Sequence, residues 1–589
     1  MTNCNSQRFP STCTSTDYGF KKFFAHTGEE VYYQNITGTN LPEDGIVIIL
    51  ENGEYYKAIL NENTINIEWY RCDKEHRYNN DEEIILAAVK MAAYLGATLR
   101  FDAREYIVNN QLSFQGLSCF KLLGDKQHTL IKPSTKDRVE GFYFNFNDCH
   151  NVIIDGLRFD QNQRNLIIYS AADDVALKEF NCGIYFTLSS CIEITNCSFY
   201  DLYNHAIRIY SCGEGNIIVS NNHFESGLQK QIYVMEHLVV SQAPKAKVFI
   251  ENNIFENAEN HDPSTGVVGI FAYELGEGGS VIVNNNHFEY CGRNHTGKHR
   301  LYAIDFYENV NNFEITNNVI KNCTWGAIRF DGTRKNGIIT NNIIHQLIAD
   351  EDGMIMTASR EDPKFNQTEF KNIIISNNIL ESSNDLSYGI TIQGLSPFCA
   401  AENIEISHNK MYDLRYGIKV NGDVSVMSIN NNQAINLIGI GIEMDGFKTG
   451  YDHTPLVPNN IEKIYINDNH LNGRKEPEYS GFVGVQINGI VGVHDFMGRV
   501  LINNNFISGN NKGKGITTNV ISAPANSVSS IDNRIAILGN EIDNVEYGLF
   551  LRCHENFVKD NIFYNCVQPF LEDYTDNIKV SNYHNNLPV

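Results

Sequence analysis

Four carboxylates with related spacing are the residues of this sequence best suited to bond-breaking chemistry: Glu274, Asp305, Glu308 and Asp331. They lie in or just past short alternating runs such as Ala303-Ile304-Asp305-Phe306 and Ala327-Ile328-Arg329-Phe330. Apolar alternation at period two marks a strand with one buried face, so Asp305, Arg329 and Asp331 point to the other face. With such runs side by side at about 4.8 Å, and about 6.6 Å per two residues along the strand, Asp305 and Asp331 stand roughly 8 Å apart. That spacing leaves room for a water and suits a general acid and a water-activating base at a glycosidic bond. Glu274 and Glu308 share a column at about 5 Å, nearer the spacing of an acid and a nucleophile. Arg329 is placed to lower the pKa of Asp305 or to hold an acidic sugar. Arg208, Tyr210, Tyr273 and Tyr307 fall in the same columns, where a cation orients a ligand and rings stack on sugars. Glu236 and His237 lie just beyond, and a histidine there would serve as the base of a β-elimination. A solvated face of mixed charge accounts for the same residues without chemistry, with Asp305 and Arg329 as a surface ion pair of little worth. The columns from Thr391 onward read more like that solvated face.

The elements that must position these groups are repeats. The unit is clearest in Phe313 to Asp331: an alternating run, the pair Asn317-Asn318, a short apolar piece, a turn, and a second alternating run. Its Asn pair recurs with second members at Asn222, Asn253, Asn286, Asn318, Asn342, Asn378, Asn409, Asn432, Asn469 and Asn505, and in weaker form at Asn540 and Asn561. A fixed landmark with unequal spacing means coils of similar core and loops of different length, the signature of a solenoid. Asparagine suits the landmark because it tolerates a tight bend, bonds turn backbone, and can ladder coil on coil. Ahead of the repeats, Asn52-Gly53 between alternating runs predicts a hairpin. Asn79 to Ala93 carries acids in its first turn and apolar residues at helical spacing, which predicts an amphipathic helix.

The Asn pairs, the Gly/Ala-Ile-x-apolar runs and the helix followed by Gly96-Ala97-Thr98-Leu99-Arg100-Phe101 resemble the right-handed parallel β-helices of the pectate-lyase-like superfamily. Within it the chain is most similar to bacteriophage tailspikes and capsular polysaccharide depolymerases. The resemblance implies an all-β chain of about a dozen three-strand coils. The Asn ladder lies between the second and third strands, and a helix caps the open end. The domains expected are a flexible lead at 1–24, a small antiparallel β module at 25–75, the cap and first strands at 79–125, and the β-helix at 126–589. Inserts at 260–265, 293–300, 360–369 and 448–459 are expected to line the groove. The resemblance further implies a homotrimer in the virion, assembled in the host cytoplasm and attached to the phage tail or baseplate through the N-terminal region. Its partner would be a bacterial capsular or exopolysaccharide, cut at internal bonds. The carboxylate-rich patch favours hydrolysis. A lyase acting by β-elimination, or a non-catalytic carbohydrate-binding or adhesive solenoid, remain alternatives.

Charge and composition narrow the field. The 589 residues carry 70 acids against 46 bases, a net charge of −24, which argues against binding nucleic acid or an anionic membrane. No apolar run is long enough to span a bilayer, and the first residues have no apolar signal core. The fourteen cysteines read as mostly reduced and buried. They form no zinc spacing, and no metal or other cofactor is expected.

Overall fold

The computed structural model describes residues 20–588 apart from 25–26, 37–40, 72–77, 135–139, 161–181, 203–204, 227–234, 258–266, 277, 293–301, 324–325, 333, 348–352, 359–369, 384–386, 394–399, 422, 446, 449–456, 459–460, 476–480, 491–498, 522–533, 553–555, 573–577 and 585–586. Two compact units divide it, Met1–Asp262 and Pro263–Val589.

The first unit opens with a four-stranded antiparallel sheet of Phe20–Phe24, Glu29–Ile36, Ile48–Glu51 and Glu54–Ala58. Phe20–Phe24 is thus a strand, where sequence suggested flexible lead. The hairpin at Asn52-Gly53 forms, with Glu51 opposite Glu54 and both turn residues at positive φ. Thr64–Asn66 does not join this sheet. It pairs in parallel with Thr98–Arg100 and opens the second sheet of the solenoid.

Helix Asp81–Leu95 caps the stack. The Asn80 side chain accepts from the Glu83 N–H at its start, and Gly96 ends it at φ 62°. Its buried face of Ile84, Ile85, Ala88, Val89 and Met91 packs on the strands Asn110–Gln115 and Ser118–Leu123. Buried Asp81 ties the helix down. Its Oδ2 accepts from the Ile107 N–H at 2.8 Å, and its Oδ1 from Arg104 at 3.0 Å.

Each unit is a right-handed stack of rungs, and each rung gives one strand to each of three parallel sheets. In the rung around Phe313 the order is Tyr302–Tyr307 in the first sheet, Phe313–Thr316 in the second and Val319–Cys323 in the third. Gly326–Asp331 then re-enters the first sheet, pairing in register with Tyr302–Tyr307. The first sheet has five described strands in the first unit and eleven in the second. That exceeds the dozen expected because early rungs lack the Asn pair.

The two asparagines of each pair divide the labour. The first adopts a left-handed backbone, as at Asn317 with φ 57° and Asn341 with φ 59°. The second is fully buried and ladders. Oδ1 of Asn342 accepts from both the backbone and side-chain nitrogens of Asn318 at 3.0 Å. The same Asn318 amide also donates to the Val283 carbonyl at 2.9 Å. In the second unit this pattern runs unbroken from Asn286 to Asn582. Buried amides are costly unless every group is paired, and here one row satisfies all of them.

Candidate active site

The candidate residues lie on or beside the strands of the first sheet, and they divide between the units. In the second unit the strands Val267–Tyr273, Tyr302–Tyr307, Gly326–Asp331 and Gly353–Ala358 lie side by side in parallel. Register sets one column as Phe271, Asp305, Arg329, Met356 and Thr391, and the next as Tyr273, Tyr307, Asp331 and Ala358. Met356 and Ala358 were missed from sequence, because their strand reads Met354-Ile355-Met356 with no polar alternation.

Asp305 is not presented to solvent as expected. It is 2% exposed, and Arg329 directly across the rung grips both its oxygens, Nε to Oδ1 at 3.0 Å and Nη2 to Oδ2 at 2.6 Å. The Arg329 guanidinium lies 5.0 Å above the buried ring of Tyr302. A bidentate, desolvated pair of this kind is stronger than the surface pair envisaged, and it engages both oxygens of Asp305. The backbone of Asp331 pairs with Tyr307 and Ala358, and its side chain lies outside the described residues.

Glu274 and Glu308 stand just past the ends of their strands on adjacent rungs. The backbone N–H of Glu274 donates to the Glu308 carbonyl at 3.1 Å. Both take a left-handed backbone, φ 50° and 45°, which non-glycine residues seldom adopt and which turns the two side chains at the sheet's edge. Both are half-buried. Beside them the rings of Phe271, Tyr273 and Tyr307 form one platform, with centroids 5.7 to 6.3 Å apart. Partial burial and the charges of Glu274 and Glu308 push the Tyr273 phenol up to about 12, so it keeps its proton and its hydroxyl donates a hydrogen bond to Glu274.

The first-unit candidates read differently. Arg208 sits between Tyr185 and Tyr210, its guanidinium 5.8 and 6.0 Å from the two rings. Its rung neighbour is Val239, and that of Tyr210 is Ser241. The small-residue slot of this rung, filled by Gly183 and Ala206 in the rungs before, holds His237. His237 is therefore inside. It is fully buried, its ring lies 6.2 Å from Phe224 and 6.1 Å from Phe255, and burial lowers its pKa to about 3. It is a core residue and not a ligand of any substrate. Glu236 is in the strand, and its side chain lies outside the described residues. The inserts expected to line the groove lie almost wholly outside them too.

Among the described residues no cluster of three or more His, Cys, Asp or Glu could hold a metal ion, and no helix is long and apolar enough to cross a membrane. No protein-family model matches the chain, and no curated protein sequence matches it. Solved structures do. The surface adhesin PfbA of Streptococcus pneumoniae is 15% identical over 79% of this chain and 93% of its own, with a TM-score of 0.43. The catalytic domain of a GH87 α-1,3-glucanase in complex with tetrasaccharides is 11% identical over 82% and 73%, with a TM-score of 0.42. ORF18 of Geobacillus virus E2 is 12% identical over 58% and 65%, with a TM-score of 0.32. By the registers of its own strands, each unit of this chain is a right-handed parallel β-helix with three strands per turn and an asparagine ladder.

Proposed function

We propose that this chain is a tailspike depolymerase that cleaves a bacterial capsular or exopolysaccharide at internal glycosidic bonds by hydrolysis, with Glu274 and Glu308 as the working carboxylates. The observation that carries the reading is their placement. Glu274 and Glu308, both half-buried, sit on adjacent rungs whose backbones are about 4.8 Å apart, beside a platform of three aromatic rings. Side chains leaving the backbone at that spacing can adopt the roughly 5 Å of a retaining pair. Tyr273 assigns the roles. Its hydrogen bond with Glu274 fixes that carboxylate in place, which suits Glu274 as the nucleophile and leaves Glu308 as the acid. Glu308 protonates the leaving glycosidic oxygen while Glu274 attacks the anomeric carbon. Water then cleaves the resulting ester, with its proton returning to Glu308. Asp305 and Arg329 become the rigid floor of this site.

Purified protein spotted on lawns of many capsule types is expected to give halos. Glu274→Gln and Glu308→Gln should each lower the rate by about 100-fold or more. Asp305→Asn should instead lower the melting temperature. Ultraviolet absorbance of an unsaturated uronate in the products would replace hydrolysis by elimination, and no halo on any lawn would favour a binding solenoid.

The reading includes a homotrimer carried on a phage tail. Support comes from the outward column of the second sheet in the second unit, where Ile338 and Ile374 face out side by side on adjacent rungs, each 38% exposed. An exposed apolar pair of this kind suits burial against another copy. Sedimentation should give a trimer, and the double change Ile338→Lys, Ile374→Lys should give monomers. A wild-type monomer would remove this part of the proposal.

A further inference from the structure

A hydroxyl, an imidazole and a carboxylate meet at one corner of the first unit. The strands His150–Asp155 and Ser190–Thr195 pair in parallel, with His150 opposite Ser190. His150 Nδ1 lies 2.8 Å from Ser190 Oγ, and its Nε2 lies 3.2 Å from Oδ1 of Asp148 in the turn before it. A carboxylate only accepts, so Nε2 carries the ring proton and Nδ1 is left to accept from the serine hydroxyl. The turns that carry these groups are fixed from inside. Buried Ser189 accepts from the Cys149 N–H at 3.0 Å and donates to the Thr187 carbonyl at 2.8 Å. The Ser190 N–H donates to the Cys149 carbonyl at 3.1 Å.

The corner is open to solvent. The side chains of His150 and Asp148 are 42% and 59% exposed, and Ser190 is half-buried. On the following rung Gly213 leaves the space beside Ser190 clear, since a Cβ there would meet nothing closer than the Ser190 Cβ at 4.0 Å. Leu188, opposite Asp148 in register, is 58% exposed and held at φ 51°. That backbone is costly for a bulky residue, and so exposed a side chain gains little packing in return. A serine in reach of a base that a third group orients is an activated nucleophile, recognised by its geometry on any fold. We propose that Ser190 and His150 are the catalytic residues of an esterase site, with Asp148 as positioning residue, which removes a short acyl group seated against Leu188. Ser190 Oγ attacks the ester carbonyl carbon and its proton passes to Nδ1. The bond to the alcohol oxygen breaks, and that oxygen takes the proton. Water then gives a proton to Nδ1 and its hydroxyl to the acyl carbon. The acid leaves, and the proton returns to Ser190.

That the ester is an acylated sugar of the polymer rests on the proposed function; that Ser190 attacks acyl esters does not. The test uses the full chain carrying Cys191→Ala, so that the exposed thiol beside Ser190 takes no part. The probes are p-nitrophenyl acetate and p-nitrophenyl butyrate. Release of p-nitrophenolate above buffer is expected. Ser190→Ala and His150→Ala should each lower kcat/KM by about 100-fold or more, with unchanged melting temperatures. Asp148→Ala should lower kcat by about tenfold with KM unchanged, because it only orients the ring. A fluorophosphonate should label Ser190, as located by mass spectrometry, and should fail to label it in His150→Ala. Where halos form, acetate released from that polysaccharide should vanish in Ser190→Ala. Labelled Ser190 in a chain that forms no halo would support this site and count against the depolymerase. Unlabelled Ser190, no hydrolysis above buffer, or hydrolysis that survives Ser190→Ala would overturn the esterase site whatever the halos show.

Discussion

At the scale of residues, His237 is the most testable single group. Its neutral ring is buried beside the stacked rings of Phe224 and Phe255, and its pKa falls from 6.5 to about 3. Between those values the unfolded chain binds a proton that the folded chain refuses, so stability is lost as the pH falls through that window and is fully present above it. At about 1.4 kcal/mol per unit, the loss is of the order of several kcal/mol. Urea midpoints at about pH 7 and pH 4 should differ more for the wild type than for His237→Ala, which restores the small residue of neighbouring rungs. Equal pH dependence in the two proteins would refute this assignment. Sequence could not place His237, because Met235–Ser241 has no Gly/Ala-Ile start and a slipped register turns a core position into a surface one. Asp305 and Arg329 were legible as neighbours, but their burial was not. Alternation tells which face a residue takes and says nothing of what lies over that face.

At the scale of elements, the ladder is what sequence announced most clearly. A buried amide with four partners tolerates few substitutes, so it repeats as a letter, whereas loops and outward columns drift. The slots that escaped notice are those filled otherwise. Leu157 and Cys197 occupy the ladder position of early rungs, and the Cys197 N–H donates to Oδ1 of Asn222 at 2.8 Å, as an asparagine there would. The ladder makes a graded prediction. Asn409→Ala removes an amide that accepts from Asn378 and donates to Asn432 and the Ile375 carbonyl. It leaves partners unmet on both sides and should cost roughly 2–4 kcal/mol. Asn582→Ala, at the last rung, strands the donors of Asn561 and the Val558 carbonyl but no further asparagine, and should cost less. Chemical denaturation of the two variants measures the ratio, and equal losses would contradict a ladder whose members depend on both neighbours.

At the scale of the whole molecule, fold class, cap and hairpin were legible because each rests on local rules of alternation, capping and turn chemistry. The site was legible only as a region, because its working geometry depends on how rungs stack. That stacking has a consequence for how such a chain can change. Ladder asparagines in the second unit are separated by as few as 21 and as many as 37 residues, yet each meets the next at 2.9–3.1 Å. The chain between two rungs is thus an interchangeable part with a standard fitting at each end. Excision of residues 343–378 joins Asn342 to Ile379, which is the junction Asn378 already makes. The shortened protein should fold, stay β-dominated by circular dichroism, and retain whatever function resides in rungs it still has. A descendant could lengthen, shorten or trade its rungs in whole modules, and so acquire a new target without redesigning its core.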